Sequence, residues 1–218
     1  MQAIVLAGGD IDDRAALDAA WPDWRAPGAW VVAADAGARH ATTLDLAIDQ
    51  WVGDGDSLDP AAQAELAARG VPMTVAPTDK DESDTELAVR AAIDRSPAAI
   101  VILGAHGGIR LDHALANVAL LSMAELRHLP TTLLSATSRI RLVRDHALLE
   151  GRIGDLVTLL PVGGDAHGVT TTALAYPLRD ETLLDGRTRG LSNVRTAPRA
   201  EVRVRDGRLL VIETPARL

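Results

Sequence analysis

The single lysine of this chain lies in an acidic segment, Lys80-Asp81-Glu82-Ser83-Asp84. A lysine ammonium is a compact charge that can follow a phosphate group, whereas an arginine is a rigid planar fork. Two further motifs flank this segment, Gly53-Asp54-Gly55-Asp56-Ser57 upstream and Gly104-Ala105-His106-Gly107-Gly108-Ile109-Arg110-Leu111-Asp112-His113 downstream. Aspartates for Mg²⁺, cations for phosphates and glycines for close backbone approach are the components of a phosphoryl-transfer site.

Asp54 and Asp56 flank one glycine directly after a short apolar run. Carboxylate oxygens suit Mg²⁺, which usually takes one or two carboxylates together with substrate phosphates. The alternative is a turn in which each aspartate bonds its own backbone. The presence of the other two motifs favours the metal role.

The segment that follows Lys80 has a structural explanation for some of its residues. Ser83 and Glu86 match a capping box that begins a helix. The box leaves Lys80 and Asp84 unexplained, and the helix terminus itself attracts anions. The alternatives are a solvated lysine and an acid that only complements the helix dipole.

The glycine-rich motif predicts a tight loop after a strand. Arg110 can bind a phosphate or pair with Asp112, which in turn can cap the next helix. His113 has an alternative as a first-turn residue with a core contact. Earlier in the chain, Gly8-Gly9-Asp10 is either a close approach to a nucleotide or a plain turn.

Alternating strand and helix patterns must position these motifs. Apolar runs predict strands over 3–7, 30–34, 51–53, 72–76 and 98–103, with helices over 12–21, 36–44, 60–69, 83–95 and 112–126 between or after them. Such alternation indicates a parallel sheet covered by helices, and ligands bind beyond the carboxyl ends of its strands. Asp35, Asp54 with Asp56, and the 104–108 loop should therefore converge at one edge.

The pattern changes after about residue 135, where short β-type runs and recurring glycines replace helical periodicity. We predict an α/β domain over 1–138 and an antiparallel β-sandwich over 139–218. Asp206-Gly207 between two apolar runs predicts a hairpin.

Composition excludes several classes of function. The net charge is −8 and no basic run occurs, which argues against a nucleic-acid partner. The chain has no cysteine, so disulfides and thiolate metal sites are excluded. No apolar run approaches the length of a membrane span or a signal segment, so we expect a soluble cytoplasmic protein.

Taken together, the motifs resemble those of the thiamine pyrophosphokinase family. The resemblance covers nearly the whole chain and rests on these segments: Asp35-Ala36-Gly37-Ala38, Gly53-Asp54-Gly55-Asp56-Ser57, Lys80-Asp81-Glu82-Ser83-Asp84, Arg110-Leu111-Asp112-His113 with Asn117, Tyr176-Pro177-Leu178, and Gly190-Leu191-Ser192-Asn193.

The resemblance implies Mg²⁺ and ATP, with transfer of the pyrophosphoryl group to thiamine and release of AMP. It also implies a homodimer whose active site is shared between the α/β domain of one subunit and the sandwich of the other. Carried over by position, the catalytic residues are Asp54, Asp56, Lys80, Asp84 and Arg110, with Asp54, Asp56 and Asp84 as metal ligands. The residues implied for the nucleotide are Asp35, Lys80, Ser83, Arg110, Asp112, His113 and Asn117. Those implied for thiamine are Ser192 and Asn193.

Three other functions remain as hypotheses. The first is a pyrophosphokinase for another acceptor, such as a hydroxymethyl-pterin, which the sequence distinguishes from a thiamine enzyme only through Ser192-Asn193. A Mg²⁺-dependent phosphohydrolase would use Asp54 and Asp56 but has no role for the Arg110 motif. A non-catalytic nucleotide sensor is the third hypothesis, but nucleotide binding alone does not explain why so many carboxylates would lie beside the phosphates.

Overall fold

The computed structural model describes residues 1–216. The chain divides into two compact units, the first spanning Met1–Ala136 and the second beginning at Thr137. Within the described residues, none of the helices combines the length and the apolar character needed to cross a bilayer.

A parallel sheet of six strands forms the centre of the first unit. The strands are β1 (Gln2–Leu6), β2 (Trp30–Ala34), β3 (Gln50–Gly53), β4 (Met73–Val75), β5 (Ala99–Leu103) and β6 (Thr131–Leu134). Their spatial order is β6-β5-β1-β2-β3-β4, and every neighbouring pair is parallel. Because β1 and β5 are almost fully buried apolar runs, the predicted α/β class is confirmed.

Five α-helices accompany this sheet: α1 (Arg14–Ala20), α2 (His40–Leu44), α3 (Pro60–Ala68), α4 (Asp84–Asp94) and α5 (Leu111–Leu120). Two 3₁₀ segments cover Asp35–Arg39 and Ala124–Leu126. Two predicted helices are therefore shorter than expected. The 36–44 helix is divided, because its first residues belong to the 3₁₀ segment Asp35–Arg39 and the α-helix begins only at His40. The 112–126 helix stops at Leu120, because Met123 adopts an extended ψ of 139°.

The second unit consists of two antiparallel sheets over a common apolar core. One sheet has the order β12-β9-β14-β7, and the other β11-β10-β13-β8. The strands are β7 (Arg139–Val143), β8 (His146–Glu150), β9 (Leu156–Pro161), β10 (Ala166–Thr172), β11 (Glu181–Leu183), β12 (Asn193–Val194), β13 (Arg199–Arg203) and β14 (Leu209–Thr214). The predicted sandwich is confirmed.

The predicted hairpin at Asp206-Gly207 is wrong. β13 pairs with β8 and β10, whereas β14 pairs with β7 and β9, so the turn carries the chain from one sheet to the other. Val202 and Val211 are both fully buried in the core that the two sheets share. A tight turn between two apolar runs can therefore connect strands of two different sheets, as it does here, as well as two paired strands of a hairpin.

Candidate active site

A cavity of about 630 Å³ lies in the first unit, beyond the carboxyl ends of β1, β2 and β5. The residues that follow these three strands contribute to its wall, together with residues at the start of α4 and α5. The lining residues are Gly8, Gly9, Asp10, Ala34, Asp35, Ala36, Arg39, Ser57, Lys80, Glu82, Ser83, Asp84, Thr85, Ala105, Gly107, Gly108, Ile109, Arg110, His113, Ala114 and Asn117. Of the segments predicted to converge at one sheet edge, Asp35 and residues of the 104–108 loop line this cavity, whereas Asp54 and Asp56 do not.

Asp35 is the buried acid of this cavity, with 5% of its surface exposed. The indole nitrogen of Trp51 donates to the Asp35 carbonyl over 3.1 Å, which fixes its backbone. Gly53 is required beside it, because a Cβ there would lie 2.8 Å from the Cβ of Asp35. Burial raises the pKa of Asp35, and the nearby charge of Asp84 adds to this effect although a bond from Ser57 opposes it.

Asp35 lies in a compact group with Asp54 and Asp84. One carboxylate oxygen from each of the three lies within 4.8 Å of the others. The Oδ1 atom of Asp35 is buried and accepts no hydrogen bond from the described residues. The buried Oδ1 atom of Asp84 has the Nζ atom of Lys80 as its partner, at 3.1 Å. A buried carboxylate oxygen without a donor is costly unless a cation or a proton neutralises it, and three carboxylates lie together here, so the group fits a divalent cation.

Lys80 connects two of these carboxylates. Its Nζ lies 3.1 Å from Oδ1 of Asp84 and 3.4 Å from Oδ2 of Asp54, with only 12% of the side chain exposed. Burial lowers the pKa of Lys80, but the hydrogen bonds and charges of Asp84 and Asp54 outweigh it and the net direction is upward. The pKa of Asp54 is lowered, chiefly by the backbone N–H of Asp56 and also by Lys80. The ammonium is therefore a fixed charge beside the cation site.

Asp56 takes a different position from the one implied by the motif. Its Oδ1 accepts a hydrogen bond from the Ser57 hydroxyl at 2.8 Å, and the residue is exposed. Its backbone N–H donates to Asp54 over 3.2 Å. The group of three carboxylates thus contains Asp35, which the sequence implied for the nucleotide, rather than Asp56.

The glycine-rich loop is hydrogen-bonded to the turn that follows the first strand. Gly107 and Gly108 both have left-handed φ angles, and the backbone N–H of Gly108 donates to Oδ2 of Asp10 at 2.6 Å. The guanidinium of Arg110 forms two bonds with Asp112, of 2.9 and 2.6 Å, and both side chains are largely exposed. The hydrogen bonds from Arg110 are the largest cause of the lowered pKa of Asp112. Arg110 lines the cavity, but Asp112 does not.

The remaining nucleotide candidates have distinct environments. Ser83 caps α4 by accepting the N–H of Glu86 over 3.1 Å, while the Glu86 carboxylate binds Arg90. His113 is exposed at the cavity wall. Asn117 is buried and donates to the Ala105 carbonyl over 2.7 Å, so its amide supports the loop after β5.

Two residues that were not predicted, Arg39 of the cavity wall and its neighbour His40, hold the turn after β1 in place. Arg39 donates to the Gly8 carbonyl over 2.8 Å, and Nε2 of buried His40 lies 2.9 Å from the Gly9 carbonyl. Burial lowers the pKa of His40, and the charge of Arg39 acts in the same direction. The sequence signal was available, since both residues directly extend the Asp35-Ala36-Gly37-Ala38 motif.

A second cavity, of about 380 Å³, lies in the second unit. It is lined by Leu159, Ala175, Tyr176, Pro177, Leu178, Arg189, Gly190, Leu191 and Asn193. The amide of Asn193 accepts the Tyr176 N–H at 3.0 Å and donates to the Tyr176 carbonyl at 2.7 Å. Ser192 is exposed, with a left-handed φ of 55°, and is not part of the wall.

The fold and the first cavity define an α/β enzyme that handles nucleotide phosphates, because clustered carboxylates, a lysine and a glycine loop meet at the ends of parallel strands. Comparison with known families gives the particular one. Residues 25–133 match the thiamin pyrophosphokinase catalytic domain, and residues 139–209 match the thiamin pyrophosphokinase vitamin B1 binding domain. The chain therefore belongs to the thiamin pyrophosphokinase family.

Individual relatives agree with this assignment. The thiamine pyrophosphokinase of Bacillus subtilis is 26% identical over 177 residues, which cover 79% of this chain and 82% of the relative. A crystal structure of the thiamine pyrophosphokinase from Bacillus subtilis has a TM-score of 0.86 at 23% identity, with 99% of each chain covered. The yeast thiamin pyrophosphokinase structure has a TM-score of 0.74 at 15% identity, covering 99% of this chain and 86% of the yeast chain. The two structures establish the shared fold.

The predicted family and enzyme class, an ATP-dependent thiamine diphosphokinase, are thus confirmed. The roles of the single residues remain predictions.

Proposed function

We propose that this chain transfers the pyrophosphoryl group of ATP to the hydroxyl of thiamine, with Mg²⁺ held by carboxylates of the first cavity. The observation that carries the proposal is the group of Asp35, Asp54 and Asp84 beside Lys80, in which a buried oxygen of Asp35 has no donor among the described residues. Membership of the family supplies the two substrates.

In this reaction the thiamine hydroxyl oxygen bonds to the β-phosphorus of ATP. The bond between that phosphorus and the bridging oxygen to the α-phosphorus breaks, AMP leaves with the electron pair, and the hydroxyl proton is released. A bound Mg²⁺ would neutralise phosphate charge in this step. Lys80 adds a fixed positive charge, and Arg110 adds a fork that can exchange its exposed partner Asp112 for a phosphate.

The metal ligands predicted from the sequence were Asp54, Asp56 and Asp84. The geometry favours Asp35 in place of Asp56, because Asp35, unlike Asp56, brings an oxygen into the group with Asp54 and Asp84. Asp56 is then left to position Ser57, whose hydroxyl it accepts. Nucleotide roles for Asp35, Ser83, Asp112, His113 and Asn117, and thiamine roles for Ser192 and Asn193, remain part of the proposal.

The direct test is to incubate the purified chain with Mg-ATP, with and without thiamine, and to separate the products. AMP and thiamine diphosphate that form only with thiamine support the proposal. ADP or phosphate that forms without thiamine supports a hydrolase instead, and ATP binding without turnover of any acceptor, pterins included, supports a sensor. Asp54→Asn should abolish turnover, whereas Asp23→Asn, which removes the same charge from an exposed site, should not.

We also propose a homodimer with shared active sites, as the family resemblance implies. Mixing an Asp54→Asn chain with an Asn193→Ala chain tests both parts of this proposal. If each site combines the first unit of one subunit with the second unit of the other, a mixed dimer has one intact site. In assays at thiamine concentrations well below the raised KM of Asn193→Ala, about a quarter of wild-type activity should then return on mixing. No recovery, in chains shown to exchange subunits, would contradict shared sites.

A further inference from the structure

Arg39 is a cavity residue with no assigned role. It ends the 3₁₀ segment Asp35–Arg39 that follows β2, and its side chain lines the same cavity as Asp35, Lys80 and Arg110. One of its terminal nitrogens donates to the Gly8 carbonyl at 2.8 Å. Within residues 1–216 this is the one hydrogen bond of the guanidinium; it holds the group at the cavity wall and leaves its other N–H groups, out of five, available for a ligand.

The charge of Arg39 differs from that of the other cavity cations in one respect. Lys80 is paired with Asp54 and Asp84, and Arg110 is paired with Asp112. Among the residues that the structure describes, no carboxylate lies within ion-pair distance of Arg39. An incoming anion can therefore bind Arg39 without first displacing a carboxylate.

The backbone around Arg39 is also prepared for an anion. The carbonyl oxygens of Gly8 and Gly9 are engaged by Arg39 and His40. These oxygens would repel a phosphate if they pointed freely into the cavity. Gly9 itself cannot carry a side chain, because a Cβ would lie 2.5 Å from the Gly104 carbonyl oxygen. The turn therefore presents a guanidinium and a bare backbone to the cavity.

We infer that Arg39 binds a phosphate group of the nucleoside triphosphate and is a further substrate-binding residue of this site. The inference rests on the proposed function, since it assigns Arg39 to the same nucleotide. Arg39 then contributes to the affinity of the free enzyme for the triphosphate, whereas Lys80 stays paired with Asp54 and Asp84.

The test compares wild type with Arg39→Gln, Arg39→Lys and a matched control, Arg69→Gln. Arg69 is an exposed arginine of the first unit whose one carboxylate contact is long, 3.9 Å to Glu65. Isothermal titration with Mg-ATP and with inorganic tripolyphosphate measures affinity without turnover. Arg39→Gln should weaken both ligands about 10- to 100-fold, Arg39→Lys should weaken them less, and Arg69→Gln should leave them unchanged.

Kinetics provide the second readout. Arg39→Gln should raise the KM for ATP and leave the KM for thiamine near the wild-type value. Binding of Mg-ATP by Arg39→Gln within twofold of wild type, in a variant that melts normally, would overturn the assignment. The two proposals fail separately: wild type that binds Mg-ATP but does not convert thiamine refutes the reaction, and the titrations still decide the role of Arg39.

Discussion

The carboxylate of Asp10 accepts a 2.6 Å hydrogen bond from the backbone N–H of Gly108, 98 residues later in the chain. This bond joins the turn after β1 to the loop that carries Arg110. It gives Asp10 a positioning role, because the loop approaches so closely that a Cβ at Gly107 would lie 2.8 Å from the Cβ of Asp10.

Replacing Asp10 should therefore disturb the loop more than the fold. Asp10→Ala removes a charged acceptor at the surface, and we expect kcat/KM to fall about tenfold with little change in melting temperature. Asp10→Asn keeps an acceptor oxygen and should retain most activity. Hydrogen exchange of the Gly108 amide should speed up in Asp10→Ala alone. Wild-type kinetics in Asp10→Ala would contradict the positioning role.

The Asp35→Asn variant should be inactive but more stable than wild type. Without metal, burial disfavours the charged form of Asp35 and raises its pKa, and one of its oxygens has no donor among the described residues; a neutral amide removes that cost. Asparagine also tolerates the left-handed backbone at this position. We expect the melting temperature to rise by about 2–4 °C and turnover to be lost.

The pH dependence of this difference follows from the sign of the pKa shift. Because the pKa of Asp35 is raised in the folded chain, its ionisation destabilises the fold above that pKa and the cost disappears as pH falls. The melting temperatures of wild type and Asp35→Asn should therefore converge at acid pH. Mg²⁺ should stabilise wild type only, and equal stabilisation of both chains would remove Asp35 from the metal site.

Lys80→Gln separates two possible roles of the lysine. Removal of a positive charge 3.1 and 3.4 Å from two carboxylates should tighten binding of Mn²⁺ to the free chain several-fold. Turnover should nevertheless fall about 100-fold, because a charge that faces the transferred phosphate is lost. Mn²⁺ titration followed by electron paramagnetic resonance measures the first effect. If metal affinity and turnover fell together, Lys80 would only hold the carboxylates in place.

Asn193→Ala should affect one substrate and not the other. Both polar atoms of the Asn193 amide form hydrogen bonds with the backbone of Tyr176, a residue that is 73% exposed and lines the second cavity. We expect the KM for thiamine to rise at least tenfold, with the KM for ATP unchanged. Asn193→Asp keeps the acceptor and should be intermediate. Steady-state kinetics with each substrate varied in turn measure the two KM values. An equal rise in the KM for thiamine and the KM for ATP would contradict the assignment of Asn193 to thiamine.

Glu213 should dominate the acid stability of the second unit. It is 1% exposed and accepts hydrogen bonds from Arg139, Arg141 and Arg195. Burial raises the pKa of Glu213, but the three arginines outweigh it and the net direction is downward from 4.5. Its stabilisation is therefore present above pH 4.5 and is lost as pH falls through the lower, folded-state pKa.

Glu213→Gln leaves three arginines around a neutral partner and should cost about 3–5 kcal/mol in urea unfolding at neutral pH. The difference from wild type should shrink under acid conditions. Glu150→Gln is a suitable control, because Glu150 is exposed and its pair with Arg199 is a surface contact. A change within about 0.5 kcal/mol is expected for the control, and a similar small change for Glu213→Gln would contradict the prediction.

Much of the fold was predictable from the order of short segments. Apolar runs that alternate with helical patterns specify a parallel sheet, and the residues directly after its strands must then meet at one edge. This is why Asp35, the Asp54 turn and the Gly104 loop could be assigned to one site although they are far apart in sequence. The motifs were specific enough to indicate the family as well.

The partner of each side chain was not predictable in this way. The pairing of Asp54 with Asp56 by spacing gave a different carboxylate group from the one observed, in which Asp35 takes part. The hairpin predicted at Asp206-Gly207 is wrong, because a turn sequence does not specify which sheet receives the next strand.

The sequence by itself determined the element types, the two-unit architecture and the family, because these depend on local propensity, periodicity and contiguous motifs. Only the tertiary structure decided that Asp10 holds Gly108, that Lys80 lies between Asp54 and Asp84, and that Arg39 has no carboxylate partner among the described residues. These relationships join residues from different strands and loops. They are fixed by sheet order, by the left-handed backbone at Asp35 and by close packing at glycines, none of which is encoded in the spacing of the residues concerned.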